Sequence, residues 1–163
     1  VKIFEPNSIF TVQLAKSGEL ITHHKDKAVL TFMKLKSVIE NDFQTINVDA
    51  TLGDLVKVVS KSNRNIFPVV DEDGILNGII LMDHIREIMF DREMYDKTQV
   101  SSLMILPPEY ISFKDSMTDV IKKFESTGAW NLPVIENAKY VGMVSKSKLF
   151  SAYRNLLLEI SEE

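Results

Sequence analysis

Thr51-Leu52-Gly53-Asp54-Leu55-Val56 and Ser116-Met117-Thr118-Asp119-Val120-Ile121 share one pattern: hydroxyl, apolar, any residue, Asp, apolar, apolar. The two stretches lie about 65 positions apart, a spacing that points to a duplicated supersecondary unit. The pattern has a physical reading. Thr51 and Ser116 are suited to N-capping, because a hydroxyl there accepts from an otherwise orphan backbone N–H. Asp54 and Asp119 follow three residues later, as the acidic member of a capping box and near the positive end of a helix. Leu52, Leu55, Val56 and Val59 then make an apolar helical stripe, and Met117, Val120, Ile121 and Phe124 make its counterpart.

The match extends outward from these helices. Ile66-Phe67-Pro68-Val69-Val70-Asp71 corresponds to Asn131-Leu132-Pro133-Val134-Ile135-Glu136, each a short buried strand entered through a proline. The turns Asp71-Glu72-Asp73-Gly74 and Glu136-Asn137-Ala138 follow, then strands carrying Gly78-Ile79-Ile80 and Gly142-Met143-Val144. A helix begins next in both copies, with Asp83 and Ser147 as the expected N-caps. Ile85, Ile88 and Met89 line one of these helices, and Leu149, Ala152, Tyr153 and Leu156 the other. Upstream, Leu35-Lys36-Ser37-Val38-Ile39 matches Val100-Ser101-Ser102-Leu103-Met104, and strand-like Thr45-Ile46-Asn47-Val48 matches Tyr110-Ile111-Ser112-Phe113.

Each copy therefore reads β-α-β-β-α, and the fold class is α+β. The expected organisation is a lead segment over 1–34, a first repeat over 35–90, a polar linker over 91–99, a second repeat over 100–155 and a C-terminal helix end over 156–163. A repeat of this size buries too little surface to stand alone, so the two are expected to pack sheet to sheet around a shared core. The net charge of −4 gives no general polyanion-binding surface, and nucleic acid is not expected as a partner. With no cysteine in the chain, disulfides, thiolate catalysis and cysteine-ligated metals are excluded. No apolar run approaches the roughly 20 residues that span a bilayer. The chain begins at Val1 without an initiator Met, which is the start expected of a fragment of something longer.

The repeat order, the [Phe/Leu]-Pro-Val strand and the Gly-apolar-apolar strand after a tight turn resemble the cystathionine-β-synthase (CBS) domain family. The resemblance covers both copies, about two-thirds of the chain. It implies two repeats packed about a pseudo-two-fold axis, a module that pairs into homodimers, and clefts that often take adenosine nucleotides. The first 34 residues add a second resemblance. Phe4-Glu5-Pro6-Asn7-Ser8-Ile9-Phe10, Leu14 to Leu20 and Thr22-His23-His24-Lys25-Asp26 to Leu30 are similar to the segment before the regulatory repeats of prokaryotic CLC-family chloride channels and transporters. That likeness implies a membrane transport domain in the same polypeptide, with this module at its cytoplasmic face. The alternative is a stand-alone nucleotide sensor, or a regulatory insert of a soluble enzyme.

Many CBS repeats carry Gly-apolar-x-[Ser/Thr]-x-x-[Asp/Asn] after the third strand, the acid holding ribose and the hydroxyl a phosphate. Copy one reads Gly78-Ile79-Ile80-Leu81-Met82-Asp83-His84, with Leu81 for the hydroxyl and His84 for the acid. Copy two reads Gly142-Met143-Val144-Ser145-Lys146-Ser147-Lys148, keeping Ser145 but placing Lys148 at the acid. The cleft positions implied by the resemblance are Thr45, Ile46, Phe67, Pro68 and His84 in copy one, and Leu132, Pro133, Ser145, Lys146 and Lys148 in copy two. No cofactor is required; an adenosine nucleotide or another anion is the candidate ligand. The Ser145–Lys148 stretch has two readings: an anion site at a helix N-terminus, or a capped helix with two solvated lysines. Trp130 either stacks on a ligand base or packs between repeats.

Neither catalysis nor metal binding finds support. The acids of the repeats are accounted for by caps and turns, and no nucleophile elbow or phosphate loop is present. His84 has no placed partner. Asp71-Glu72-Asp73-Gly74 resembles the start of a calcium loop but lacks its distal Glu, and reads as a hairpin turn. His23-His24 with Asp26 reads as a surface stretch, because adjacent residues of a strand point apart.

Overall fold

The computed structural model describes residues 29–162. The lead-segment likeness over residues 1–28, including His23, His24 and Asp26, lies outside the described residues. The fold is α+β, with two three-stranded sheets. The first copy runs α1 (Leu35–Val38), β1 (Ile46–Asn47), α2 (Leu52–Lys61), β2 (Ile66–Val70), β3 (Leu76–Leu81) and α3 (Met82–Ile85). The second runs α4 (Val100–Leu103), β4 (Ile111–Ser112), α5 (Met117–Thr127), β5 (Asn131–Glu136), β6 (Lys139–Ser145) and α6 (Lys146–Glu162). Each copy thus opens with a helical turn that the β-α-β-β-α reading did not assign.

Both capping boxes form. Thr51 Oγ1 accepts from the Asp54 amide at 3.3 Å, and Asp54 Oδ2 accepts from the Thr51 amide at 3.2 Å. Ser116 and Asp119 repeat the exchange at 3.1 Å in each direction. These bonds satisfy N-terminal donors that α2 and α5 cannot satisfy internally. The apolar stripes then face inward: Leu52, Leu55 and Val59 are buried on α2, and Met117, Val120, Ile121 and Phe124 on α5. Gly128, with φ of 66°, ends α5 in the left-handed region, where a residue without Cβ carries no steric cost.

Within each sheet the first strand runs parallel to the second. Ile46 pairs with Val69, and Ile111 with Val134. β2 and β3 are antiparallel, with Phe67 opposite Ile80 and Pro68 opposite Ile79. The prolines therefore sit inside β2 and β5 rather than at their first residues, which are Ile66 and Asn131.

The described residues separate into two compact units. One comprises residues 29–39, 114–131 and 144–162; the other comprises Glu40–Phe113 and Leu132–Met143. Each unit draws on both copies. The second unit shows how. Its core joins Ile46, Leu52, Leu55, Val59, Phe67, Val69, Ile80, Ile85 and Val100. The second residue after α1 and its counterpart after α4 then cross over. Glu40 exchanges backbone bonds with Met143 on β6 at 2.7 and 3.0 Å. Ile105 does the same with Ile79 on β3 at 2.8 and 2.9 Å. Each copy's leading chain thereby pairs with the Gly-apolar-apolar strand of the other. The two hairpin tips meet as well, where Leu76 donates to the Ala138 carbonyl and Tyr140 to that of Gly74.

Two local expectations change. Asp83 and Ser147 are not N-caps. β3 passes directly into α3 and β6 into α6, so the helices start earlier and the capping positions are Leu81 and Ser145. Asp83 instead pairs with Arg86 at 2.7 Å. α3 stops at Ile85 after a single turn, and Ile88 and Met89 follow in turns closed onto the Ile85 carbonyl. The stretch 91–99, expected as a polar linker, also carries a 3₁₀ turn at Arg92–Met94. It docks on the start of α2: Leu52 donates to Thr98 and Gly53 to Tyr95, while the Tyr95 hydroxyl donates to the Met89 carbonyl.

Candidate functional site

In each copy the end of the Gly-apolar-apolar strand lies beside the start of the Pro strand, held by one backbone bond. Met82 donates to the Asn65 carbonyl at 2.8 Å, and Lys146 donates to the Trp130 carbonyl at the same distance. The backbone frame is the same in both copies and the side chains on it differ.

In the first copy the frame carries little polarity. Leu81 stands at the cap with no side-chain bond, and α3 is four residues long. His84 is exposed on it, and Thr45 is exposed at the head of β1. Ile46 and Phe67 are core residues, in one cluster with Leu52, Leu55 and Ile80. Pro68 is buried opposite Ile79. Phe67 and Pro68 therefore serve the interior and present no side chain to a ligand.

The second copy is different. Ser145 Oγ accepts from the Lys148 amide at 3.1 Å and caps α6, a helix of 17 residues. Lys146 is only 5% exposed, and its ammonium lies 4.9 Å from the centroid of the Trp130 ring. Trp130 is 70% exposed, so one face of its indole covers Lys146 while much of the ring meets solvent. Lys148 is exposed, and Leu132 and Pro133 are buried. Ser145, Lys146, Lys148 and Trp130 come together, whereas Leu132 and Pro133 serve the interior.

The electrostatics are unusual for a helix start. The N-terminal end of a helix dipole is positive and is stabilised by anions and acidic side chains. The first turn of α6 contains no acidic residue and two lysines. Burying an ammonium is costly without compensation, and the aromatic face supplies part of it. The reading of two solvated lysines therefore fails for Lys146. Its burial continues that of the end of β6, where Gly142 to Ser145 are all buried, and no residue pattern in the sequence marked it.

A sequence model of the CBS domain family matches residues 35–91 and 100–155. The chain belongs to the CBS domain family. It is 30% identical over 139 residues to a CBS domain-containing protein of Dictyostelium discoideum, covering 78% of this chain and 93% of that one. It is 29% identical over 142 residues to chloride channel protein C of the same organism, covering 59% of this chain but only 19% of the channel. Among solved structures, CbpB in complex with c-di-AMP superposes with a TM-score of 0.70 at 16% identity, over 85% of this chain and 96% of CbpB. That likeness is one of fold. CBS pairs are regulatory modules, and this chain is one by family. No described helix is long and apolar enough to cross a membrane.

Proposed function

We propose that this CBS pair is the regulatory module of a CLC-type anion channel or transporter and that it responds to an anionic ligand held at the start of α6. The observation carrying the ligand reading is Lys146, a lysine only 5% exposed at the positive end of a long helix, with its ammonium beside an exposed indole. An anion at the exposed start of α6, beside the Lys148 side chain, would relieve that accumulation of positive charge, and Trp130 would stack on a base if the anion is a nucleotide. Ribose recognition through an acid is not part of the proposal, since Lys148 stands at that position.

The likeness to chloride channel protein C and the character of residues 1–34 support the host. The module would act by favouring one state of the attached transport domain, which requires ligand or dimer contacts that differ between states. Deleting residues 35–155 from the full-length protein should change chloride flux. Unchanged flux and assembly would remove the regulatory claim. We also expect the module to form a homodimer; a monomer mass at high concentration in sedimentation equilibrium would exclude that.

A stand-alone sensor is the second reading, favoured by the Dictyostelium relative that this chain spans almost end to end. It predicts tight binding of AMP, ADP, ATP or c-di-AMP by this chain alone, measurable by calorimetry. Long apolar helices encoded upstream of Val1 would decide for the channel.

A further inference from the structure

The crossover at Glu40 has an ionic fastening that its counterpart lacks. Arg64 Nε and Nη2 donate to the two carboxylate oxygens of Asp42 at 2.9 and 2.8 Å, and Nη2 also donates to Glu40 Oε1 at 2.8 Å. The guanidinium lies 4.3 Å from the centroid of the Phe43 ring. Phe43 in turn packs with Ile66, Ile79 and Met143. Partial burial works against the Arg64 charge, yet its bonds to Glu40 and Asp42 prevail and push its pKa up. Two carboxylates, a planar cation and an aromatic face thus hold residues 40–43 where Glu40 pairs with Met143. In the other crossover Ile105 and Pro107 stand where Glu40 and Asp42 do, and Ala129 stands where Arg64 does. Ile105 nevertheless keeps both backbone bonds to Ile79. The fold therefore makes this crossover without a salt bridge, and the ionic version is an addition.

We propose that Glu40, Asp42 and Arg64 form a releasable clasp that locks the chain entering the first copy onto β6. Two residues beyond Met143, the same strand reaches Ser145, the cap of α6, and then Lys146 under Trp130. Opening the clasp frees one edge of β6 and loosens the start of α6, so displacement of the upstream chain is felt at the candidate anion site. The clasp belongs to this chain alone, and testing it needs neither a membrane domain nor a ligand. It therefore stands or falls separately from the function proposed above.

The test is amide hydrogen exchange on the whole chain, comparing it with the isosteric double variant Glu40→Gln/Asp42→Asn. Exchange at Glu40 and Met143 should accelerate about tenfold or more, while Ile79 and Ile105 keep their rates. Trp130 is the only tryptophan and reports on α6 directly; its emission should shift in the same variant. High salt should move both readouts of the unsubstituted chain in the same direction but by less, through the exposed Asp42 arm of the clasp, so the outcome does not depend on the variant folding. Equal acceleration at all four amides, or none at Met143, overturns the clasp. Accelerated Met143 exchange with unchanged Trp130 emission overturns its link to α6.

Discussion

Ile79 and Ile105 exchange both of their backbone hydrogen bonds, at 2.8 and 2.9 Å, across a gap that Gly78 keeps open. A Cβ built on Gly78 would lie 2.8 Å from the Ile105 carbonyl oxygen and 3.1 Å from Met104 Sδ. The oxygen belongs to backbone engaged in the pair and cannot yield without breaking it. Gly78→Ala should therefore destabilise the protein by about 1–3 kcal/mol. Urea unfolding of the variant checks this, and an unchanged midpoint would mean that the crossover is loose.

The two capping boxes make stability depend on pH at the acid end. Asp54 has its pKa lowered by the backbone and then the side-chain hydrogen bond from Thr51. Asp119 is lowered by the side-chain and then the backbone bond from Ser116. A carboxylate with a depressed folded-state pKa stabilises fully above its unfolded value, and that contribution disappears as pH falls through the folded value. Stability should thus decline below the ordinary aspartate value of 3.8. Thr51→Ala should cost about 1 kcal/mol at neutral pH. The Thr51→Ala/Ser116→Ala double variant should show a shallower acid limb in urea midpoints taken between pH 6 and 2.

Tyr140 should limit the alkaline side. Its hydroxyl is buried and finds no hydrogen-bond partner among the described residues. Burial, and then the negative charge of Asp42, raise its pKa well above the ordinary 10.0. The unfolded chain ionises first, so this contribution is complete below pH 10 and is lost as pH rises beyond it. Tyr140→Phe should soften the alkaline decline. At neutral pH it should be neutral or stabilising by up to about 1 kcal/mol, since an unpartnered buried hydroxyl is removed.

The turn between β5 and β6 holds Asn137 and Ala138 at φ of 51° and 63°. Asparagine tolerates this region, but alanine is strained there by about 1 kcal/mol. Ala138→Gly should relieve the strain and lose part of the gain to the greater freedom of the unfolded chain. The net expectation is a slightly higher thermal midpoint by calorimetry; a lower one would refute the argument.

Lys146→Met keeps the length of the buried side chain and removes its charge. Stability should change by no more than about 1 kcal/mol, since desolvation and the indole contact roughly offset. Any change in Trp130 emission on adding inorganic phosphate or ATP should need an about tenfold higher concentration, because the attraction of a nearby positive charge is lost. A response at unchanged concentration in the variant would move the anion elsewhere.

Much of the fold was legible because its signals are local and occur twice. Thr51 with Asp54, Ser116 with Asp119, and the stripes behind them each specify a helix within a few residues. Pro68 and Pro133 mark the buried strands in the same way. The misplaced caps have a simple cause. Ser147 and Asp83 are good capping residues by type, but β6 and β3 run straight into their helices, leaving Ser145 and Leu81 at the boundary. The crossovers at Glu40 and Ile105 left no periodicity to read, because each is a single residue pair far apart in sequence. Arg64 was missed for the same reason: its partners lie 22 and 24 positions upstream. At the candidate site the residue types were visible in sequence, whereas the burial of Lys146 depends on packing at the end of β6 and under Trp130.

The crossed pairing of Glu40 with Met143 and Ile79 with Ile105 also imposes an order on biosynthesis. When β3 leaves the ribosome, its free edge has to wait for Ile105, and Glu40 has to wait about a hundred residues longer than its own emergence, until Met143 follows. Until then the nascent protein carries open strand edges, the feature that recruits chaperones and seeds misassembly.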